Sequence, residues 1–417
     1  MALAKTPYKG TRDYYPEELR LRKYIFDKWS KVCENFGFVE YAAPILEPLE
    51  IYAAKTGDEI VNEQTYVFED RGGRKVVIRP EMTPSVSRMV AARRQELAYP
   101  ARLYSIANFM RYERTQRGRE REFWQLNADV FGDDSLVVEA EVIYLAEKLL
   151  KVFEADESMF EIRINDRRLV DFVMMQYLGL GENEAKAVVR LIDKINKLSA
   201  KDFELAIKDL FGKRRQDEIW KKLDGVLNAK TFEEIPKEII ESDEFRQVRE
   251  LFKILTAFGV GSAIFDITLM RGFDYYTGTV FEVFDLDPEN NRAMFGGGRY
   301  DGLVGLFGVE PVSAFGFAPG LSPFELFLES HGLLPGLASE VELGVALVEQ
   351  KYAREGFELV EKLRGNGKNI DFDARDIKLE KKFKSFEKKG IARVIVFGEN
   401  EAKSGKYEIK NLGEPKR

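Results

Sequence analysis

Phe109-Met110-Arg111-Tyr112-Glu113-Arg114-Thr115-Gln116-Arg117-Gly118-Arg119-Glu120-Arg121-Glu122-Phe123-Trp124-Gln125 carries five arginines and three glutamates. Two extended runs, Ala101 to Arg114 and Arg121 to Phe131, meet here through the polar stretch Thr115 to Glu120. Alternate side chains of an antiparallel pair share a face, so Arg111 and Glu113 take one face and Phe123 and Gln125 another. Arginine forks fit phosphate oxygens. An aromatic ring can stack on a base, and an exposed basic loop suits a nucleic-acid backbone. An exposed charged hairpin with self-compensating pairs has the same composition, and composition alone does not choose between them.

Working outward, Tyr15-Pro16-Glu17-Glu18 predicts a helix start, with proline and acids in the first turn. The helix runs to about Asn35, Gly37 ends it, and Phe38 to Ala42 is strand-like. Pro44 belongs at a strand start or edge. Thr65 to Glu69 and Lys75 to Arg79 flank Asp70-Arg71-Gly72-Gly73, a hairpin signal. Helices are expected over Thr83 to Glu96 and Ser135 to Glu154, strands over Ala263 to Thr268 and Thr279 to Asp285, and a last core helix over Pro323 to Ser330. Gly296-Gly297-Gly298 fits a bulged strand or a tight turn.

These signals divide the chain. Residues 1–164 and 259–331 form two parts of one α+β core with an antiparallel sheet. Residues 165–258, rich in Lys, Glu, Asp and Leu, form a helical insertion. Residues 332–340, with Pro335 and Gly336, are a linker. Residues 341–417 alternate strand and helix as a small α/β module.

Composition limits the chemistry. The 417 residues include one cysteine, Cys33, and one histidine, His331. A disulfide framework, a cysteine zinc site and histidine-rich metal motifs are therefore excluded. Cys33 reads as a small core residue and His331, just before Gly332, as structural at a helix C-terminus. Carboxylates and arginines are left as the working groups. Net charge is −7, yet Val341 to Arg417 holds 18 basic and 14 acidic residues. A basic module on an acidic body is a notable asymmetry, and for its lysine run a solvated face of alternating charges is the favoured reading. With no signal peptide and no apolar run of about 20 residues, a soluble cytoplasmic protein is expected and no membrane partner.

The stretch from Phe109 to Gln125 resembles motif 2 of class II aminoacyl-tRNA synthetases in its histidyl form. Gly37-Phe38 to Pro44 resembles motif 1, which builds the family's dimer interface. Leu269-Met270-Arg271-Gly272-Phe273-Asp274-Tyr275-Tyr276-Thr277-Gly278-Thr279-Val280-Phe281-Glu282 and Gly297-Gly298-Arg299-Tyr300-Asp301-Gly302-Leu303 are similar to the two histidine signatures. Arg79-Pro80-Glu81-Met82-Thr83 resembles the amino-acid recognition turn. Val394 to Glu399 resembles the anticodon-binding domain. The likeness covers essentially the whole chain.

That resemblance implies a fold, an activity and a set of residue roles. The fold would be the class II synthetase fold, and the activity ATP-dependent ligation of histidine to tRNA(His) by a homodimer, with Mg²⁺. Arg111 would bind the ATP α-phosphate and the histidine carboxylate. Glu113 would meet the adenine amino group, Phe123 would stack on the ring, and Arg119 and Arg121 would hold the outer phosphates. Arg271 would be the second catalytic arginine. Glu81, Thr83, Gln125, Asp129, Tyr275, Tyr276 and Tyr300, with Arg271, would line the histidine pocket, while Arg114 and Gln116 approach the tRNA acceptor end. No metal ligand set within the chain is expected. Without the resemblance, Tyr275 and Tyr276 also read as core aromatics.

One motif departs from the family. Motif 3 ordinarily places Glu-Arg where Ser322-Pro323 stands in Gly316 to Phe324. Proline cannot hold a phosphate, so another arginine, Arg119 or Arg121, is expected to hold the ATP tail. No counterpart of the family's last helix is expected after Gly413. The same departure fits a non-catalytic paralogue serving as a regulatory subunit of ATP phosphoribosyltransferase, whereas Arg111, Glu113, Arg271 and the C-terminal module favour the ligase. A class II enzyme with a non-tRNA acceptor is the third reading.

Overall fold

A computed structural model describes residues 3–53, 64–193, 195, 198–213, 215–229, 231–269, 275–290 and 292–413. The chain forms two compact units, Met1–Leu334 and Pro335–Arg417. The first holds strands β1 (Val39–Glu40), β2 (Leu46–Pro48), β3 (Tyr66–Glu69), β4 (Lys75–Ile78), β5 (Ala101–Met110), β6 (Glu122–Phe131), β7 (Phe160–Asp166), β8 (Ala263–Phe265), β9 (Thr279–Asp285), β10 (Ala293–Arg299) and β11 (Ala314–Phe317). Among the described residues eight of them make one sheet, in the order β1-β5-β6-β11-β10-β9-β7-β8. Its centre is antiparallel, but β1 pairs with β5 and β7 with β8 in parallel. The sheet is therefore mixed, where the sequence pattern predicts an antiparallel one. The remaining three strands form a small sheet, β2-β4-β3, and Asp70 closes its hairpin by accepting from the Gly72 and Arg74 amides.

Helix α1 (Pro16–Asn35) has Pro16 in its first turn and buries Ile25, Trp29, Val32 and Cys33. Burial pushes the Cys33 thiol up to about 12, as suits a core residue. After the short α2 (Glu50–Ala53) comes α3 (Thr83–Ala92), which stops before the expected end at Glu96. The Ser135 side chain caps α4 (Leu136–Lys151) by accepting from the Val138 amide. Trp29 meets Phe324 edge-on at 5.1 Å, tying α1 to α11 (Leu321–Ser330), the helix that follows β11.

Between β7 and β8 lie α5 (Arg167–Asp171), a π-helical turn (Phe172–Tyr177), α6 (Glu182–Ile192), α7 (Ala200–Asp209), α8 (Gln216–Leu227), α9 (Lys237–Ile240) and α10 (Asp243–Phe258). They enclose a second core with Val188, Ile207, Leu223 and Phe245. Asn165 is still in β7, and Leu251 and Leu255 of α10 join the main core. The insertion is thus anchored by a helix that belongs to both cores.

The second unit runs β12 (Leu343–Leu347), α12 (Ala353–Gly365), β13 (Ile370–Asp373), α13 (Leu379–Lys388), β14 (Arg393–Phe397), α14 (Glu399–Ser404) and β15 (Ile409–Asn411). Its sheet order is β13-β12-β14-β15, parallel except for β15. Val345, Leu347, Val360 and Ile395 fill its own core.

Candidate active site

Strand β6 is the spine of the site. Its alternate residues Phe123, Gln125, Asn127 and Asp129 all line one cavity of about 1000 Å³ in the first unit. That arrangement reflects the period of two in a strand. Partner strands leave the face open: β10 is glycine at 296–298, and a Cβ at Gly297 would lie 2.3 Å from the Gly316 carbonyl. The run is a strand held close to its neighbours rather than a turn.

At the inner end, Asp129 is buried and accepts from the Tyr300 hydroxyl at 2.5 Å. Its other oxygen, Oδ2, has no hydrogen-bond partner among the described residues. Burial raises the Asp129 pKa to about 7; the Tyr300 hydrogen bond opposes this and Glu81 adds to it. Directly across in register lies Gly316 of β11, where a Cβ would stand 2.1 Å from Asp129 Oδ1. The Tyr275 hydroxyl donates to Glu81 Oε2 at 2.9 Å, and burial drives its own pKa well above the phenol range. Thr83 and Tyr276 line the same end. Gln125 Nε2 donates to Asn127 Oδ1 at 3.0 Å. The result is a small polar chamber with two carboxylates.

Toward the mouth, Arg111 lies past the end of β5. Its Nε donates to the Pro80 carbonyl at 2.9 Å, and its guanidinium stands 5.2 Å from the Phe123 ring centre. The connecting loop turns tightly through a Gln116–Arg119 bridge, with Gly118 at φ +72°. Glu113, Gln116 and Arg119 line the cavity, and Arg119 pairs with Glu113. Ser322 and Pro323 form part of the wall, with Ser322 Oγ donating to Glu120 at 2.8 Å.

Two expected residues do not line the cavity. Arg121 is buried, with Nε on the Glu113 carbonyl and Nη1 on the Tyr8 hydroxyl, both 3.2 Å, and lies 4.0 Å over the Tyr112 ring. It fastens the loop to the N-terminal segment instead of facing the cavity. Arg114 is exposed on the loop. Arg271 lies outside the described residues. Sequence reasoning missed Asn127, Glu120, Glu282, Arg190 and Arg292, which also line the cavity. Alternation along β6 would have found Asn127; Arg190, in α6, and Arg292 carry no local signal.

His331 Nε2 meets buried Asp285 at 2.8 Å, away from the cavity. Arg299, inside the second signature, is also turned away and pairs with buried Glu139.

Comparison with known proteins gives consistent relatives. The sequence profile described as Histidyl-tRNA synthetase matches residues 10–323, and one described as Anticodon binding domain matches residues 342–417. A Histidine--tRNA ligase of Leptospira biflexa is 38% identical, covering 97% of this chain and 92% of the relative. That of Thermococcus kodakarensis is 35% identical over 97% of this chain and 93% of its own length. The solved histidyl-tRNA synthetase of Nostoc sp. PCC 7120 superposes with a TM-score of 0.81 at 23% identity, covering 98% of this chain and 95% of that one. A Bacillus halodurans structure described as an ATP phosphoribosyltransferase regulatory subunit/histidyl-tRNA synthetase gives 0.77 at 25% identity, covering 95% and 99%.

Proposed function

The chain belongs to the histidyl-tRNA synthetase family, and from that premise we propose that it is a histidine–tRNA ligase. It joins histidine and ATP into histidyl-adenylate, releasing pyrophosphate, and then passes the histidyl group to the 3′ end of tRNA. The observation that carries this reading is the shared face of Phe123, Gln125, Asn127 and Asp129 in one cavity. From Phe123 to Asp129 the strand rises about 20 Å, enough to seat an adenylate end to end. Adenine stacks on Phe123 with Glu113 at its amino group. Imidazole lies at the inner end, where Asp129 and Glu81 accept from its ring nitrogens. An apolar isostere would offer no donor to Asp129 Oδ2, which has no hydrogen-bond partner among the described residues, and this gives discrimination.

Between the two ends the histidine carboxylate attacks the α-phosphorus. The new C–O–P bond forms as the bond to the bridging oxygen breaks, and pyrophosphate leaves with the electron pair. Little proton transfer is needed; the task is to stabilise negative charge on phosphorus. Arg111 does this, held by the Pro80 carbonyl, and Arg271 is its proposed partner. In the second step the ribose hydroxyl attacks the histidyl carbonyl carbon, the C–O bond to the phosphate breaks, AMP leaves with the electron pair, and a phosphate oxygen of the adenylate takes the hydroxyl proton. The implied magnesium fits the donor set, since Glu120 and Glu282 line the cavity and this ion is commonly held by one or two carboxylates plus substrate phosphates. Those two residues would hold it, and it would neutralise phosphate charge.

Arg114 and Gln116, at the loop, are proposed to meet the tRNA acceptor end. We place the contact of a homodimer at β1, the sheet's edge, where Val39 is 65% exposed beside the half-exposed Ile45 and Leu46. No described helix is long and apolar enough to cross a membrane, and a cytoplasmic site of action is part of the proposal. The regulatory-subunit alternative draws on Ser322-Pro323; the match of residues 342–417 to an anticodon-binding domain supports the ligase. Histidine-dependent ATP–pyrophosphate exchange by the pure protein is the test: exchange is expected, and its absence with ATP, Mg²⁺ and histidine overturns the reading.

A further inference from the structure

We infer that Arg292 holds the outer phosphates of ATP, in the place of the arginine that Pro323 displaces from α11. This rests on the ligase reading and names a contact within its cavity. Ser322 and Pro323 both line the cavity and bring no positive charge. Arg292, just before β10, lines it too. Its Nη2 lies 2.7 Å, and its Cζ 3.5 Å, from where a Cβ of Gly118 would stand, and Leu326 Cδ1 is 2.7 Å from the same point. Leu326 is three residues beyond Pro323, so the two share a face of α11. Arg292 thus brings its guanidinium between the motif 2 loop and the first turns of α11, the helix that carries Pro323. Gly118 makes room for it: any side chain there would fill the place the guanidinium occupies.

Three other arginines nearby are committed. Arg119 pairs with Glu113, Arg121 binds the Glu113 carbonyl and Tyr8, and Arg12 pairs with Glu325 at 2.9 Å. The Arg292 side chain has no hydrogen-bond or carboxylate partner among the described residues. A fork with an open charge facing a cavity fits a phosphate better than a structural role. Its backbone is braced. The Asp285 amide donates to the Arg292 carbonyl at 3.2 Å, and the Asp285 carboxylate takes Asn290 at 2.6 Å and His331 at 2.8 Å. The one histidine of the chain therefore buttresses the turn that presents this arginine.

Bound to the β- and γ-phosphates, Arg292 would stabilise the charge that gathers on pyrophosphate as it leaves. The test is Arg292→Ala and Arg292→Lys in the full-length protein. Histidine-dependent exchange is expected to fall about 100- to 1000-fold in the alanine variant, with partial recovery in the lysine variant. ATP binding should weaken while AMP binding stays unchanged, since AMP lacks the outer phosphates. Exchange within threefold of the parent, or equal weakening of AMP and ATP, overturns the inference. If the parent itself shows no histidine-dependent exchange, the ligase reading has failed instead. Because the AMP and ATP measurements need no turnover, they decide the Arg292 contact even then.

Discussion

The Tyr300 hydroxyl donates to Asp129 Oδ1 over 2.5 Å at the closed end of the cavity, joining the second histidine signature to β6. The pair is fully inside the protein, and burial lifts the Asp129 pKa from 3.8 to about 7 despite that hydrogen bond. The folded protein then keeps a proton that the unfolded chain releases above about pH 4. The stabilising contribution of this group is full below pH 4 and is lost as pH rises through about 7. Denaturant unfolding between pH 4 and pH 8 should show the stability difference between the parent and Asp129→Asn shift in favour of the variant as pH rises. A difference that stays constant across that range would remove Asp129 as the titrating group.

Gly316→Ala tests how closely the chamber is fitted. The new methyl would stand 2.1 Å from Asp129 Oδ1 and 2.8 Å from the Ala128 carbonyl, so Asp129 must move. A displacement near 1 Å at a reacting centre typically costs about 100-fold in rate. Exchange should fall by that order, with most of the loss in the KM for histidine rather than for ATP. An unchanged KM for histidine would place the imidazole elsewhere.

Arg299 and Glu139 form a buried ion pair, and Arg299 also donates to the Asp133 carbonyl at 3.3 Å. Arg299 also reaches the Asp301 carboxylate at 3.2 Å, so removing Glu139 leaves the buried guanidinium partly compensated, a loss of about 3 kcal/mol. Glu139→Leu should therefore lower unfolding stability by that amount. The double variant Arg299→Leu with Glu139→Leu should recover most of it. A single variant as stable as the parent would mean that water reaches the pair.

The contrast between Arg299 and its neighbour Tyr300 marks the limit of sequence reading here. Both sit in one signature, yet one enters the cavity and the other a salt bridge from a helix 160 positions away. Such choices are tertiary. The β5–β6 pair, the Asp70 turn and the first helix are legible because strand alternation, turn chemistry and Pro16 act locally. Alternation also places Phe123, Gln125 and Asp129 together. The role that the resemblance implies for Arg121 is not met because Arg121 precedes β6, which begins at Glu122. The direction of Arg121 is then set by Tyr8 and Tyr112, which no period can announce. Strand β7 extends past the expected start of the insertion, so 165 falls inside a continuous element, whereas the expected end at 258 is the last residue of α10, a helix that serves two cores.

Deleting Pro335–Arg417 separates the two chemical steps. Each unit has its own core: Val345, Leu347, Val360 and Ile395 fill the second, and the whole cavity lies within the first. Neither core loses its interior when the chain is cut at Leu334, so the shortened protein is expected to fold. All residues proposed to form the adenylate remain in it. What it loses is the segment matching an anticodon-binding domain, which carries 18 basic residues from Val341 onward. Phosphate contacts dominate nucleic-acid affinity, so tRNA charging should drop by more than about 100-fold. Histidine-dependent exchange should stay within a few-fold of the parent. Circular dichroism on the same sample checks folding; equal loss of exchange and charging in a folded protein would assign the second unit a role in the adenylate step.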